Sequence, residues 1–263
     1  MTELPNIVEV ILLGIVEGIT EFLPISSTGH LLIAEHWLGR RSDLFNVAIQ
    51  AGAILAVVLI YRHRLRDLAR HFTQPGQRDY LGKLLLAFGL TVAGGFIAKY
   101  LGLTLPETVH PVAWALIVGG VAILLIERAA EGFSPNAQIT WTIAIWVGLA
   151  QVLAAVFPGT SRSAATIFAA MLAGCTSRPA ATEFAFLVGI PTMFAASVYE
   201  FVKLDRAGLL AEPWLDLALG FAVSAVVAFI AVKWLLAYIQ THRFTPFAWY
   251  RIALGAFLLA ILD

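Results

Sequence analysis

Long apolar segments separated by short polar stretches dominate the chain. Six of them approach the roughly 20 residues that an apolar helix needs to cross a bilayer. They lie at about residues 45–61, 82–102, 111–129, 181–201, 215–238 and 247–262. The pattern predicts an all-α integral membrane protein with six transmembrane helices.

Two further apolar regions are interrupted by short polar turns. One covers about residues 7–38 and is broken at 24–29; the other covers about residues 140–173 and is broken at 158–163. Irregular backbone is tolerated at membrane depth only where it is buried in protein or lines a wet cavity. Both regions are therefore predicted to be re-entrant helix-turn-helix hairpins.

The two interrupted regions also align with each other when Pro24 is placed on Pro158, an offset of 134 residues. The further pairs are Glu17 with Gln151, Ser26 with Thr160, and Ser27 with Ser161. Three spans follow each hairpin, and an odd number of crossings inverts the second half relative to the first. We expect a single membrane domain over 1–263, built from two inverted repeats at about residues 1–130 and 138–263.

Composition supports a membrane protein. The chain is 60% hydrophobic and 13% charged, with a mean hydropathy of +0.84, against roughly 25% charged residues in soluble domains. Its formal net charge is +0, so no bulk basic character suggests nucleic acid as a partner. Cys175 is the only cysteine, so an internal disulfide is excluded.

Basic residues suggest an orientation. The longest charged loop follows the first span and contains Arg62, Arg64, Arg66, Arg70, Arg78 and Lys83. Cytoplasmic loops are enriched in Lys and Arg, which places this loop inside. Arg128, Arg178 and Arg243 then also fall inside, whereas Arg40, Arg41, Lys99, Lys203 and Arg206 fall outside. The first hairpin is predicted to open to the outside and the second to the inside.

Glu17 and Glu21 lie four residues apart and therefore share one face of a helix. Carboxylates at membrane depth are costly and indicate function. The pair could bind a divalent cation or accept a proton. The alternative is that both groups lie in water at the membrane interface.

Ser26, Ser27 and Thr28 lie where the second helix of the first hairpin should begin. Free amide groups at a helix N-terminus favour a phosphate, although plain N-capping is the alternative. His30 follows within the same turn and could act as a general base, general acid or phosphate donor.

Arg162 follows the turn of the second hairpin, and its planar guanidinium suits phosphate oxygens. Gly159, Thr160, Ser161 and Ser163 supply amide and hydroxyl donors around it. The alternative for Arg162 is an ion pair with Glu17 or Glu21. Together these residues predict a substrate that carries phosphate groups and arrives through the membrane.

The sequence resembles the undecaprenyl-diphosphate phosphatases, also called bacitracin-resistance proteins. The first motif reads Glu17-Gly-Ile-Thr-Glu-Phe-Leu-Pro-Ile-Ser-Ser-Thr-Gly-His30, and the second reads Pro158-Gly-Thr-Ser-Arg-Ser163. Secondary matches include Phe45-Asn-Val-Ala-Ile-Gln50 and Tyr250-Arg251-Ile252. The resemblance covers nearly the whole chain. One departure is Ala164, where the family usually has glycine.

The resemblance implies hydrolysis of undecaprenyl diphosphate to the monophosphate, which recycles the carrier lipid for cell-wall synthesis and confers bacitracin resistance. It implies the bacterial inner membrane, a site that faces the periplasm, and dependence on a divalent cation, Mg²⁺ or Ca²⁺. The family's catalytic roles fall on Glu17, Glu21, Ser27, His30 and Arg162, with Ser161 and Thr166 as lesser candidates. The oligomeric state is left open, a homodimer included.

The mechanism remains open at this point, because either Ser27, helped by His30, or a water activated by His30 or Glu21 could attack the phosphorus. Two other functions compete. Broken helices in inverted repeats are typical of transporters, which makes a flippase of polyprenyl phosphate lipids the main alternative. Acid-phosphatase-like lipid phosphatases need a later histidine–aspartate pair, and the only histidine after Arg162 is His242, in a loop placed inside.

Overall fold

The computed structural model describes residues 6–103, 105–203 and 212–261, and within these ranges the chain is helical without strands. The helices are α1 Asn6–Thr20, α2 Ser27–Leu38, α3 Asp43–Ile60, α4 Arg62–Arg70, α5 Pro75–Tyr100, α6 Val109–Ala129, α7 Trp141–Val156, α8 Arg162–Leu172, α9 Arg178–Lys203, α10 Trp214–Tyr238 and α11 Thr245–Ile261. Arg206 and the predicted end of the last span at 262 lie outside the described residues.

Five of these helices, α3, α5, α6, α9 and α10, are long and apolar enough to cross a membrane. Their outward-facing side chains are largely apolar, as at Val118, Leu125 and Ile230. Exposed apolar surface of this extent would be unfavourable in water and is what a bilayer requires. The all-helical membrane fold is thereby confirmed. The sixth predicted span forms α11, whose 17 residues lie at the short end of the spanning range.

Both interrupted regions form two helices joined by a short turn. In the first, α1 ends at Thr20 and α2 begins at Ser27; in the second, α7 ends at Val156 and α8 begins at Arg162. At about 1.5 Å per residue, the 11 to 16 residues of each arm are too short to span a bilayer separately. Each turn is therefore held between other helices.

The open ends of the two hairpins lie at opposite ends of α3. Ser42 at the start of α3 bonds Glu212 just before α10, and Arg41 beside it pairs with Glu9 of α1. Beyond the other end of α3, Arg64 bonds Glu183 at the start of α9, 3.1 Å away. The second hairpin opens on that side, where the loops at its base are joined by a 2.7 Å bond between the Asn136 amide and the Thr176 hydroxyl.

Small residues let the hairpins pack closely on the long helices. α1 packs on α10, where a Cβ at Gly14 or Gly18 would collide with residues 220–228 of that helix. In the same way α7 packs on α5, where a Cβ at Gly148 would lie 2.8 Å from the Ala87 carbonyl. The longer helix of each hairpin therefore packs on a long helix from the other half of the chain.

Candidate functional site

The two hairpin turns have nearly the same backbone conformation. Ser26 has φ 73° and ψ 102°, and Ser161 has φ 67° and ψ 110°. Each serine caps the helix that follows, because its hydroxyl accepts a hydrogen bond from the amide three residues on. The equivalent residues are therefore Ser26 and Ser161, an offset of 135. The sequence alignment, which paired Ser26 with Thr160, is shifted by one at this point because the second turn has one more residue between its proline and its capping serine.

Direct hydrogen bonds fasten the two turns to each other. The Ser163 hydroxyl of the second hairpin donates to the Leu23 carbonyl of the first, 3.0 Å away. The positive φ of Gly159, 88°, lets this turn lie against α6, where a Cβ would come within 2.8 Å of the Val112 backbone. The two breaks are thus one structural unit, although 140 residues separate the bonded partners.

Arg251 of α11 lies beneath both turns and is completely buried. Its guanidinium donates to five backbone carbonyls, those of Leu116, Ala115, Pro24, Gly159 and Thr160, at 3.0–3.4 Å. The first two belong to α6, and the other three belong to the turns. One side chain therefore satisfies carbonyls that the breaks leave without helical partners.

Glu21 is the centre of the site. It lies in the first turn and is 7% exposed. One carboxylate oxygen forms an ion pair with Arg162 of the second hairpin, and the other accepts a 2.6 Å hydrogen bond from the Ser27 hydroxyl. The alternative considered for Arg162, an ion pair with a glutamate, is thus present in this structure. The fold brings together Glu21, Ser27 and Arg162.

Glu17 lies one helical turn before Glu21 and is almost wholly buried. Its Oε2 atom accepts no hydrogen bond from any residue in the described ranges. A buried carboxylate oxygen without a partner is costly, and a cation is one group that would satisfy it. Within the described residues no three His, Cys, Asp or Glu side chains form a metal site. Glu17 and Glu21 therefore fit a divalent cation only as two of its ligands.

His30 has both ring nitrogens engaged. Nδ1 lies 2.7 Å from the Ser26 carbonyl, and Nε2 lies 2.7 Å from the hydroxyl of Tyr250. Ser27 bonds Glu21 and not His30. The hydrogen-bond partner of the Ser27 hydroxyl in this structure is therefore Glu21, whereas the sequence suggested His30.

The remaining predicted residues surround this centre. The Ser161 and Ser163 hydroxyls lie 3.0 Å apart, and the Thr166 hydroxyl donates back to the carbonyls of Arg162 and Ser163. The hydroxyls of Ser163 and Thr166 are thus engaged with backbone. Thr28 lies partly exposed on the first turn of α2, and Thr160 is partly exposed in the second turn.

An apolar groove of about 1,010 Å³ leads away from the second turn. It runs between α6, α7 and α8, and its walls include Trp114, Val118, Trp146, Leu149 and Phe168. Thr160 and Ala164 form part of the same lining. The polar turn and this groove are therefore continuous, which suits a ligand with a phosphate head and a hydrocarbon tail.

Sequence reasoning did not assign Tyr250 and Arg251 to the site. Both belong to α11, the last helix, which the fold brings beside the first hairpin. The available signal was an arginine inside an otherwise apolar segment, which at membrane depth indicates a specific partner. Spacing along the chain gave no further hint, because His30 and Tyr250 are 220 residues apart.

The chain is similar to known proteins over almost its whole length. The family model described as bacitracin resistance protein BacA matches residues 10–257. A protein named undecaprenyl-diphosphatase from Rhizobium etli (strain CIAT 652) is 61% identical over 251 residues, 95% of each chain. One of the same name from Xylella fastidiosa (strain 9a5c) is 56% identical over 253 residues, 96% of this chain and 97% of its own.

Proposed function

Because the chain belongs to the bacitracin resistance protein BacA family, we propose that it hydrolyses undecaprenyl diphosphate to undecaprenyl phosphate and inorganic phosphate. The product is the carrier lipid that cell-wall synthesis uses again. Removal of the diphosphate form also accounts for bacitracin resistance, the property in the family's description. The protein is a membrane-bound hydrolase that acts on a phosphoric anhydride.

The observation that carries this proposal is the arrangement around Glu21. The buried carboxylate of Glu21 contacts both the Ser27 hydroxyl, which can act as a nucleophile, and the Arg162 guanidinium, which can bind phosphate. The carboxylate itself can take the proton of the hydroxyl. Nucleophile activation by an adjacent base and neutralisation of phosphoryl charge by arginine are two recurring features of enzymatic phosphoryl transfer. The apolar groove beside the second turn receives the prenyl chain.

In the first step the Ser27 oxygen attacks the terminal phosphorus. The Ser27 proton passes to Glu21, whose Oε2 already accepts its hydrogen bond. The bond from phosphorus to the bridging oxygen breaks, and undecaprenyl phosphate leaves with that oxygen. Arg162 exchanges its contact with Glu21 for the phosphate oxygens, where it stabilises the charge that develops.

In the second step water attacks the phosphorus of phosphoserine 27. The bond between phosphorus and the Ser27 oxygen breaks, and that oxygen takes back the proton held by Glu21. His30 accepts the proton of the attacking water through Nε2 and passes it to solvent as inorganic phosphate is released. The amides at the start of α2 and α8 face the phosphates in both steps, because each helix N-terminus favours an anion.

Glu17 and Glu21 would hold a divalent cation, Mg²⁺ or Ca²⁺, with phosphate oxygens completing its coordination. Such an ion, when bound, supplies positive charge next to the phosphates. The unpartnered Oε2 of Glu17 supports this assignment. Two carboxylates alone make a weak site, so the ion would bind together with the lipid.

The finer architecture belongs to the same proposal: six spans, two re-entrant hairpins and two inverted repeats in the bacterial inner membrane. It is supported by hairpins that open at opposite ends of α3 and by the positive charge of α4. In a Cys175→Ser background, a cysteine at Gly39 is expected to react with an impermeant thiol reagent in spheroplasts. A cysteine at Phe133 is expected to react only after lysis.

Phosphate release from undecaprenyl diphosphate by purified protein in detergent tests the function. Wild type should turn over, and Arg162→Ala and Glu21→Ala should each lose at least about a hundredfold in rate. Arg128→Ala, at the far end of α6, is the matched control and should keep its activity. Movement of labelled lipid between leaflets without phosphate release would favour the flippase instead.

Ser27→Ala tests the covalent step separately. Activity near that of wild type in this variant would rule out attack by Ser27 and leave direct attack by water. Trapping of phosphate on Ser27 after an acid quench would support the two-step route.

A further inference from the structure

Tyr250 contacts His30 in two ways. Its hydroxyl lies 2.7 Å from Nε2 of the imidazole, and the two rings stack at a centroid distance of 5.5 Å with 7° between their planes. Tyr250 lies in α11, and the next residue is the buried Arg251 that supports both turns. The helix that fixes the turns therefore also presents the phenol to His30.

The partners of His30 determine where its proton lies. The Ser26 carbonyl can only accept, so the hydrogen bond at Nδ1 requires a proton on Nδ1. In the neutral ring Nε2 is then unprotonated and accepts the hydrogen bond of the Tyr250 hydroxyl. Since Nδ1 is held by backbone, Nε2 is the nitrogen that can exchange a proton during a reaction.

We propose that Tyr250 is a positioning residue for the hydrolytic step: its hydroxyl donates to the unprotonated Nε2, supports the tautomer that the Ser26 carbonyl selects, and holds the imidazole ring in place. The proposal rests on the hydrolase function stated above. The phenol moves aside when water enters, and the water proton then passes to Nε2. The orientation of a catalytic imidazole by a second group is a general feature of such sites.

Packing alone does not account for this contact. Tyr250 is 44% exposed, whereas its neighbour Arg251 is fully buried and makes the structural bonds. A phenylalanine at 250 would keep the stacked ring and lose only the hydroxyl. The hydroxyl is therefore the part of the side chain that the proposal concerns.

The test compares Tyr250→Phe with Tyr199→Phe, in steady-state phosphate release. Tyr199 is a matched control because its hydroxyl accepts a 2.8 Å hydrogen bond from Lys99, away from the site. Tyr250→Phe is expected to lower kcat about tenfold, a part of what general acid–base catalysis supplies, with KM within about twofold of wild type. Tyr199→Phe is expected to match wild type. Unchanged kcat in Tyr250→Phe overturns the proposal.

A double variant separates positioning from structure. Residues that act through one another are non-additive, so Tyr250→Phe should have no further effect in a His30→Gln background. An equal loss in both backgrounds overturns the proposal.

Imidazole ¹⁵N spectra of the histidine-labelled protein give a readout that does not need turnover. The His30 signals are assigned by their loss in His30→Gln. In Tyr250→Phe the Nε2 signal is expected to move toward that of a nitrogen without a hydrogen bond, and an unmoved signal overturns the proposal. If wild type releases no phosphate at all, the proposed function fails, while these spectra still report on the contact.

Discussion

Arg162 of the second hairpin and Glu21 of the first form an ion pair across 141 residues of sequence. Glu21 is the more deeply buried partner, and its other oxygen accepts the Ser27 hydroxyl. In the proposed mechanism, the pair holds the phosphate-binding guanidinium of Arg162 and the nucleophile Ser27 in place before substrate arrives. It also competes with the substrate, because a phosphate must take Arg162 from the carboxylate.

Glu21→Gln is expected to separate binding from turnover. Loss of the carboxylate frees Arg162 and removes a negative charge next to the phosphates, so a non-hydrolysable diphosphate analogue should bind about fivefold tighter, equivalent to about 1 kcal/mol. Turnover should fall at least about a hundredfold, because the acceptor for the Ser27 proton is gone. Binding is measured with a chelator present, so that divalent cations do not contribute.

Glu35→Gln is the control for this variant. Glu35 accepts a 3.0 Å bond from Asn46 and does not belong to the cluster around Glu21, so binding and turnover should both stay near wild type. Weaker analogue binding by Glu21→Gln would contradict competition between the carboxylate and the phosphate.

The sequence predicted the two helix breaks well because their signals are local. Pro, Gly and Ser interrupt apolar helices at both breaks, and the capping serines mark where α2 and α8 begin. The residues around Glu21 were also identified, since charged groups at membrane depth are few. The partner of each could not be predicted, because it depends on how two distant turns pack. Ser27 meets Glu21 and not His30, and His30 meets a tyrosine from the last helix.

The alignment of the two halves likewise shows a structural feature that the sequence could not predict. Matching proline to proline places Ser26 on Thr160, whereas the backbone places Ser26 on Ser161. A positive φ at a capping residue leaves no sequence signal when a serine, and not a glycine, adopts it. Only the backbone conformation reveals the one-residue difference in turn length.

These two serines are expected to respond unusually to substitution. An L-residue with φ near 70° is strained, and glycine relieves that strain. The stability of Ser161→Gly in detergent should therefore exceed that of Ser161→Ala by about 1 kcal/mol. Ser26 should behave in the same way, whereas at Ser42, which caps α3 with φ −65°, the advantage of glycine over alanine should be smaller, because only the capping preference contributes there. Equal stability of the Gly and Ala variants at 161 would contradict the strain.

Arg251→Lys is expected to be strongly destabilising. An ammonium cannot reach carbonyls on α6 and on both turns at once, so several buried acceptors lose their partners. Each such loss costs about 1–3 kcal/mol, and a total of about 3 kcal/mol or more is expected in the free energy of unfolding. The control is Arg243→Lys, whose exposed pair with Glu131 should contribute under about 1 kcal/mol. Comparable losses in the two variants would contradict the role given to Arg251.

Ala164 stands where the family is expected to have glycine, and the structure shows why alanine fits this position. The residue lies in the first turn of α8 and its amide donates to the capping Ser161, so it is in an ordinary helical position. Alanine is the better helix former there by about 1 kcal/mol. Ala164→Gly should therefore lower the melting temperature and leave kcat and KM within about twofold of wild type, measured in the phosphate-release assay. A marked gain of activity in Ala164→Gly would show instead that the extra methyl, which lines the apolar groove, obstructs the prenyl chain.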